Sequence, residues 1–250
     1  GSEVAATLAE NMTDKYLLDK DVELTRGLAD SFASGAVMSG FIYKAPLAGR
    51  ALSKVFWGED VRNQIQTGNQ LIKELNNELN NVKTVWEPNN KATHKGFQTS
   101  PDNNLFENPS EKMIQLKSII FDELDAYFLK FRDQPCSYIK KWPSKKMIRG
   151  WHVVLKQQGF QVPHIHPNGW LSGVIYLKVV PLLGKDEGAI EFSLNSTNYS
   201  DLESPKLTHQ PKLGDIVFFP SSLHHRTIPF TTNTERIIVS FDLKPEAARQ

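Results

Sequence analysis

The first half of the chain alternates hydrophobic and polar residues with the period of an α-helix. Over residues 61–82 and again over residues 108–131, apolar side chains recur every three or four positions and fall on one face of a helix. In the second segment Asn108 can cap the helix and Pro109 suits its first position. The pattern therefore predicts two amphipathic helices, and the second should end before Pro135.

The chain around these two helices is less regular. Residues 3–60 are mixed in character, and further helices are expected there. Residues 86–104 are rich in Asn, Pro and Gly and are expected to form irregular chain. The opening Gly-Ser resembles a cloning scar, so residues 1–2 are left out of the interpretation. Residues 3–135 are therefore predicted to form a helical region.

After residue 150 the hydrophobic period changes from that of a helix to that of a strand. Short β-branched or aromatic segments alternate with Gly, Pro and Asn, which is typical of an antiparallel sandwich or jelly roll. No Gly-rich phosphate loop follows a strand, which disfavours a nucleotide-binding fold. The predicted class is α+β, with the helical region packed on a jelly roll over residues 136–250. The five predicted strands are residues 151–157, 171–180, 188–194, 214–220 and 236–243.

Composition narrows the classes of function. The 250 residues are 40% hydrophobic and 23% charged, as in an ordinary globular protein. Lysine and arginine total 29 against 28 acidic residues, so no basic stripe indicates nucleic acid as a partner. The one cysteine, Cys136, cannot form an internal disulfide or a thiolate metal site. With no apolar run long enough to span a membrane, a cytoplasmic protein without a membrane partner is expected.

Histidines supply the strongest chemical signal. His164 and His166 flank one residue next to a predicted strand, so their side chains can point the same way, roughly 6.5 Å apart. His224 and His225 follow about sixty residues later, and in a jelly roll so distant a strand can lie beside the first. A lone histidine usually packs or forms hydrogen bonds. The spaced pair together with a later histidine favours a metal site.

The chain resembles the Fe(II)/2-oxoglutarate-dependent oxygenases in four segments, which are "HIHPNGWLSGVIYL", "GAIEF", "PKLGDIVFFPSSLHH" and "ERIIVSFDL". They follow the order and spacing of the subfamily pattern HxHPxxxLSGVYYL, GxIxF, PxxGxLxxFPSxLxH and RxxxSFN. The similarity extends over about residues 92–245. It implies a double-stranded β-helix that uses Fe(II), 2-oxoglutarate and O2.

The resemblance also implies roles for individual residues. It assigns His164, His166 and His225 to the metal, with His225 at the distal LxH position. Arg236 follows His225 by eleven residues, where relatives place the basic group that holds the far carboxylate of 2-oxoglutarate. Tyr176, on the "SGVIYL" strand, could complete the cosubstrate pocket.

Other polar and aromatic residues nearby are assigned no ligand role. His224 is expected to be a bystander. Ser240 shares a strand face with Arg236, but roughly 13 Å of strand separates the two, too far for both to touch one carboxylate. Trp170 is expected to pack in the core.

The position after His164 raises a question about the iron ligands. Many mononuclear iron sites use two histidines and one carboxylate, but here His166 fills the place of the carboxylate. Three arrangements are open: three histidines, two histidines with water, or a carboxylate recruited from Glu191, Asp215 or Asp242. Three histidines are preferred. Such a neutral ligand set leaves more positive charge at iron and should tighten the binding of an anionic cosubstrate.

The expected reaction couples decarboxylation of 2-oxoglutarate to hydroxylation of an unactivated C–H bond. The substrate could be a protein side chain, a peptide or a small molecule, recognised by the long connections over residues 178–188 and 195–212. A cupin-type metalloenzyme is one alternative, but a cupin would place Glu where Trp170 or Leu171 stands. A metal-free jelly-roll binding module is the other.

Overall fold

The computed structural model describes residues 42–47, 59–100, 102–196, 199, 203 and 205–245. The helices expected within residues 3–41 and 48–58 lie outside the described residues. In the part of the chain that is described, no helix is long and apolar enough to cross a membrane.

A curled antiparallel sheet forms the centre of the described structure. Its hydrogen-bonded order is β1-β8-β5-β10-β4-β9-β6-β7, and β3 pairs with both β2 and β4. Every pairing is antiparallel. This arrangement confirms the predicted jelly-roll-like sheet. The strands are β1 Tyr43–Pro46, β2 Thr84–Trp86, β3 Thr93–Thr99, β4 Ile148–His164, β5 Leu171–Lys178, β6 Ile190–Phe192, β7 Leu207–His209, β8 Asp215–Pro220, β9 His225–Thr227 and β10 Arg236–Leu243.

The central strands are buried on both faces, which explains why they lack a clear alternation of polar and apolar residues. β10 is buried at all eight positions and β5 at seven of eight. Between them, Gly173 lies so close to Phe241 that an added Cβ would be 2.2 Å from the ring. β4 is the longest strand, at 17 residues, and pairs with β10, β3 and β9 in turn. It therefore links the core of the sheet to the edge where β9 begins.

Three helices are described: α1 Glu59–Leu79, α2 Glu111–Phe131 and α3 Ser137–Lys140. The two long ones confirm the predicted amphipathic helices, and α2 ends before Pro135. The Tyr127 ring on α2 contacts Phe218 of β8, with centroids 6.3 Å apart, and the Asn76 side-chain amide on α1 donates to the Leu177 carbonyl at 2.9 Å. Both long helices thus contact the sheet.

The predicted cap of α2 was wrong. Ser110, rather than Asn108, is the N-cap, and its hydroxyl accepts a hydrogen bond from the Met113 amide at 3.2 Å. The helix accordingly begins at Glu111, and Pro109 lies before the cap instead of in the first turn.

The prediction of irregular chain over residues 86–104 was wrong for β3, which pairs with β4. Its sequence, THKGFQT, is too polar to reveal a strand. A tight turn joins β2 to β3, with Glu87 and Asn90 in the left-handed region at φ 38° and 59°. The expectation of helices over residues 3–60 was wrong for β1, which is a strand. The expectation of a connection over residues 195–212 was wrong for β7, which lies within it.

Candidate functional site

Three imidazoles meet at the end of β4. His164 is the last residue of that strand, His225 is the first residue of β9, and the two are cross-strand partners. His166 follows in the turn after β4, and its Nε2 lies 3.3 Å from His164 Nε2. One ligand atom from each of the three histidines lies within 4.8 Å of the others, a geometry that could hold a metal ion. The structure thus brings together the three histidines predicted as ligands.

Backbone carbonyls fix the tautomer of two of the three imidazoles. His164 Nδ1 lies 2.7 Å from the Val162 carbonyl oxygen and His225 Nδ1 lies 3.0 Å from that of Leu223. Because a carbonyl can only accept, each Nδ1 carries the proton and each Nε2 keeps its lone pair. Burial lowers the pKa of His164 to about 3 and holds the pKa of His225 well below its ordinary value. Both rings are therefore neutral at pH 7, as metal ligation requires.

The third imidazole is held by a carboxylate. Asp242 Oδ1 lies 2.6 Å from His166 Nδ1 and accepts a second hydrogen bond from the Ser172 hydroxyl at 2.7 Å. That hydroxyl is also 2.8 Å from the hydroxyl of Ser221. The three-histidine group contains no carboxylate, but Asp242 contacts the Nδ1 side of the His166 ring and orients that ring.

The other two carboxylates considered as ligands have partners elsewhere. Glu191 accepts from Arg226 Nε at 2.7 Å, and Asp215 lies 3.2 Å from His209 Nε2. Neither belongs to the metal-competent group, which among the described residues consists of His164, His166 and His225. The geometry thus disfavours a recruited carboxylate ligand.

A buried arginine lies in the same cavity as the histidines. Arg236 is 1% exposed, and its Nε donates to the Gly188 carbonyl at 3.0 Å. Its guanidinium carbon lies 5.0 Å from the centre of the Tyr176 ring. Within the described residues, Nη1 is buried without a hydrogen-bond partner and no carboxylate pairs with the guanidinium. Burial raises the pKa of Tyr176 to about 12, so the phenol stays protonated.

This inner cavity contains residues that the sequence did not single out. Trp151, Gln161 and Thr227 line it, and so does Ser240, together with the three histidines and Arg236. Gln161 lies three residues before His164 on β4 and pairs across the sheet with Thr227. Trp151 lies an odd number of residues before His164 on β4, so alternation alone would place the two on opposite faces, and the irregular register between Gln161 and His164 and the approach of β9 come from the tertiary fold.

Two further residues lie where the sequence interpretation placed them. Trp170 is buried and stacks on Tyr138, with ring centroids 5.5 Å apart, as expected for a core residue. His224 does not belong to the metal-competent group.

A larger cleft, of about 440 Å³, adjoins the histidine group. His164, His166, Trp151 and Gln161 line both this cleft and the inner cavity. The histidine group therefore lies between the buried arginine and a space that is open to larger molecules.

Comparisons with known proteins agree with this architecture. Residues 149–242, which contain β5 to β9 and all but one residue each of β4 and β10, match the model of a family described as "Putative 2OG-Fe(II) oxygenase". The match confirms the family resemblance predicted from the sequence. No curated protein matches the chain in sequence.

Solved structures share the fold at low sequence identity. HygX from Streptomyces hygroscopicus, with nickel and 2-oxoglutarate bound, is 14% identical, covers 90% of this chain and 88% of its own, and has a TM-score of 0.51. A Pseudomonas putida prolyl-4-hydroxylase is 12% identical over 88% of this chain and 99% of its own, with a TM-score of 0.50. The α-ketoglutarate-dependent epimerase SnoN, from nogalamycin biosynthesis, is 15% identical over 85% and 81%, with a TM-score of 0.50.

Proposed function

We propose that this chain, whose barrel strands match the 2OG-Fe(II) oxygenase family, is an Fe(II)- and 2-oxoglutarate-dependent oxygenase. One observation carries the proposal: a buried arginine without an acidic partner among the described residues shares a cavity with three imidazoles whose ligand atoms converge. A buried cation normally has a partner. A cavity that pairs a metal site with an uncompensated guanidinium fits a ligand that chelates metal at one end and carries a carboxylate at the other.

The three histidines fit Fe(II) as a neutral ligand set. His164, His166 and His225 would occupy three positions of the ion, and the remaining positions would stay open to 2-oxoglutarate and O2. Together these groups supply an oxidation in which 2-oxoglutarate becomes succinate and CO2, one oxygen atom enters succinate, and the other enters the substrate. The surrounding apolar residues, including Val174, Ile190 and Ile238, would exclude water from this chemistry.

Arg236 and Tyr176 would hold the far carboxylate of 2-oxoglutarate. The Arg236 Nη1 donor has no other partner among the described residues, and the Nε bond to the Gly188 carbonyl fixes the direction of the guanidinium fork. Tyr176 lies against the same guanidinium and offers its protonated hydroxyl as a second donor.

Asp242 would supply the negative charge that the ligand set lacks. Its bond to His166 Nδ1 would keep Nε2 directed at a bound metal and would make that imidazole a stronger ligand. We assign Asp242 the role of a positioning residue because it contacts His166 and lies outside the group of three histidines that could hold the metal.

Hydroxylation of a C–H bond is the reaction that we propose. The fold alone does not decide the outcome, because a prolyl-4-hydroxylase and an epimerase both share it. The substrate would be a protein side chain, a peptide or a small molecule. A cytoplasmic location stays a prediction.

The helical region over residues 3–135 would support the jelly roll of residues 136–250. Contacts of Tyr127 with Phe218 and of Asn76 with Leu177 favour this arrangement. In this arrangement the helices would cover part of β5 and β8 and would hold the barrel rigid around the site.

The test is an anaerobic titration of Fe(II)-loaded protein with 2-oxoglutarate, followed by the visible charge-transfer band. We expect the band in the wild type. Arg236→Met should weaken 2-oxoglutarate binding by about 30-fold or more, because losing one partner of a buried charge pair costs about 2 kcal/mol or more. Arg132→Met, which removes an exposed arginine at the end of α2, is the matched control and should leave the band unchanged.

The other outcomes would identify the alternatives. Iron binding without a band would favour a cupin-type enzyme, although Trp170 and Leu171, both buried and apolar, stand where a cupin places its Glu. A protein that binds no iron would be a jelly-roll binding module.

A further inference from the structure

The cleft outside the histidine group has an unbalanced charge. Three cationic side chains line it, those of Lys91, Arg149 and Lys244, against one carboxylate, that of Asp242. The chain as a whole is almost neutral, with a formal charge of +1, so this bias is local. The cleft therefore carries an excess of two positive charges over its carboxylate.

The one carboxylate is not available to a ligand. Asp242 Oδ1 already accepts from His166 and from Ser172, and Asp242 is 6% exposed. It faces Arg149 across the β4–β10 pair. The other two cations that line the cleft come from different parts of the chain: Lys91 from the turn before β3 and Lys244 from the residue after β10.

The Lys244 ammonium is held at the cleft. Its Nζ donates to the Asn168 carbonyl at 3.1 Å, and Asn168 also lines the cleft. The bond uses one of three ammonium protons and leaves the others for a ligand. The rest of the lining is mainly amide and hydroxyl groups, among them Asn90, Asn103 and Ser100. These groups can form hydrogen bonds with a polar ligand held by the lysines.

Fe(II) and 2-oxoglutarate would leave this excess in place, because their charges of opposite sign cancel. We infer that the cleft binds a substrate that carries an anionic group, a carboxylate or a phosphate, between Lys91 and Lys244. The inference rests on the proposed function for its chemistry, since the substrate's reacting C–H bond would have to face the histidine group. The binding preference itself can be measured on metal-free protein.

The test compares three probes that share a phenyl ring and differ in the polar group attached to it: phenyl phosphate, benzoate and benzyl alcohol. Each is titrated by calorimetry into metal-free protein, and then into anaerobic Fe(II) protein saturated with 2-oxoglutarate. We expect at least one anionic probe to bind about tenfold more tightly than the alcohol, with the preference falling as salt is raised to about 0.5 M. Comparing phenyl phosphate with benzoate shows which anion the cleft prefers.

The charge-neutralised variant is Lys91→Gln with Lys244→Gln. Its matched control, Lys73→Gln with Lys141→Gln, removes the same charge from exposed lysines that do not line the cleft. The first variant should lose most of the anion preference and the second should keep it. The inference would be overturned if all three probes bound equally well or if none of them bound. It would also be overturned if the two double variants changed anion binding by the same amount.

Failure of the two proposals can be told apart. If the wild type shows the 2-oxoglutarate band but no preference for anionic probes, only the substrate inference is wrong. If metal-free protein prefers anions but the band is absent, the cleft is an anion site and the oxygenase proposal is wrong.

Discussion

Replacing Asp242 by Asn tests how the protein compensates for a metal site without a carboxylate ligand. Asp242 Oδ1 is bonded to His166 Nδ1 at 2.6 Å and to the Ser172 hydroxyl at 2.7 Å. An asparagine oxygen could accept both bonds but without the charge. A hydrogen bond to a charged group contributes about 1.5–3 kcal/mol, against about 1 kcal/mol for a neutral one. We therefore expect a loss of about 1.4 kcal/mol, or about tenfold in Fe(II) affinity.

Asp242→Ala should have a larger effect. It removes the acceptor and leaves the His166 N–H and the Ser172 hydroxyl unpaired, so the loss should approach about 100-fold, the upper range for residues behind a metal ligand. The side chains of His166 and Asp242 are at most 10% exposed, so solvent screens the interaction between them little.

The assay is competition between the protein and a chelator of known affinity for Fe(II), under nitrogen. Asp215→Asn is the matched control, because Asp215 also pairs with a histidine, His209 at 3.2 Å, but lies outside the metal-competent group. Thermal unfolding of the metal-free variants separates a loss of ligand from a loss of fold. Wild-type affinity in Asp242→Asn, or equal losses in both Asn variants, would refute the positioning role.

Two further predictions concern histidines. His225→Ala should weaken Fe(II) binding by more than about 100-fold, whereas His224→Ala should bind as the wild type does, and equal losses measured with the same chelator would contradict the ligand assignment. His152 is buried, both of its ring nitrogens lack a partner among the described residues, and burial lowers its pKa to about 4. Below pH 6.5 the unfolded chain binds a proton at His152 while the folded chain does not. The contribution of His152 to the free energy of unfolding is therefore fully present above pH 6.5, and the free energy of unfolding falls by up to about 1.4 kcal/mol per pH unit down to about pH 4. Urea unfolding of metal-free His152→Leu should show a pH dependence shallower by that amount, and an unchanged slope would refute it.

The sequence predicted the long elements well because their patterns are set by local burial. Both amphipathic helices and the strand over residues 236–243 agree with the structure, since one apolar face or a continuous apolar run decides them. β3 was missed because its residues are polar and its pairing with β4 comes from the tertiary fold. β7 and β9, at three residues each, are too short to show a period.

The candidate site shows the same division. His164, His166, His225 and Arg236 were singled out from spacing and resemblance, and the structure brings them to one cavity. The position of Asp242 behind His166 was not predicted, because it depends on how β10 and the turn after β4 meet in space. From the sequence alone, Asp242 is a candidate only for direct ligation.

The pairing of His164 with His225 across β4 and β9 has a consequence for how the chain folds. A metal held by both would act as a clip that joins two points about sixty residues apart and closes a loop containing β5 to β8. Because the unfolded chain seldom brings these points together, the ion would favour the native topology in the manner of a removable cross-link. Amides at the junction of β4 and β9 should then exchange with solvent more slowly once the metal is bound.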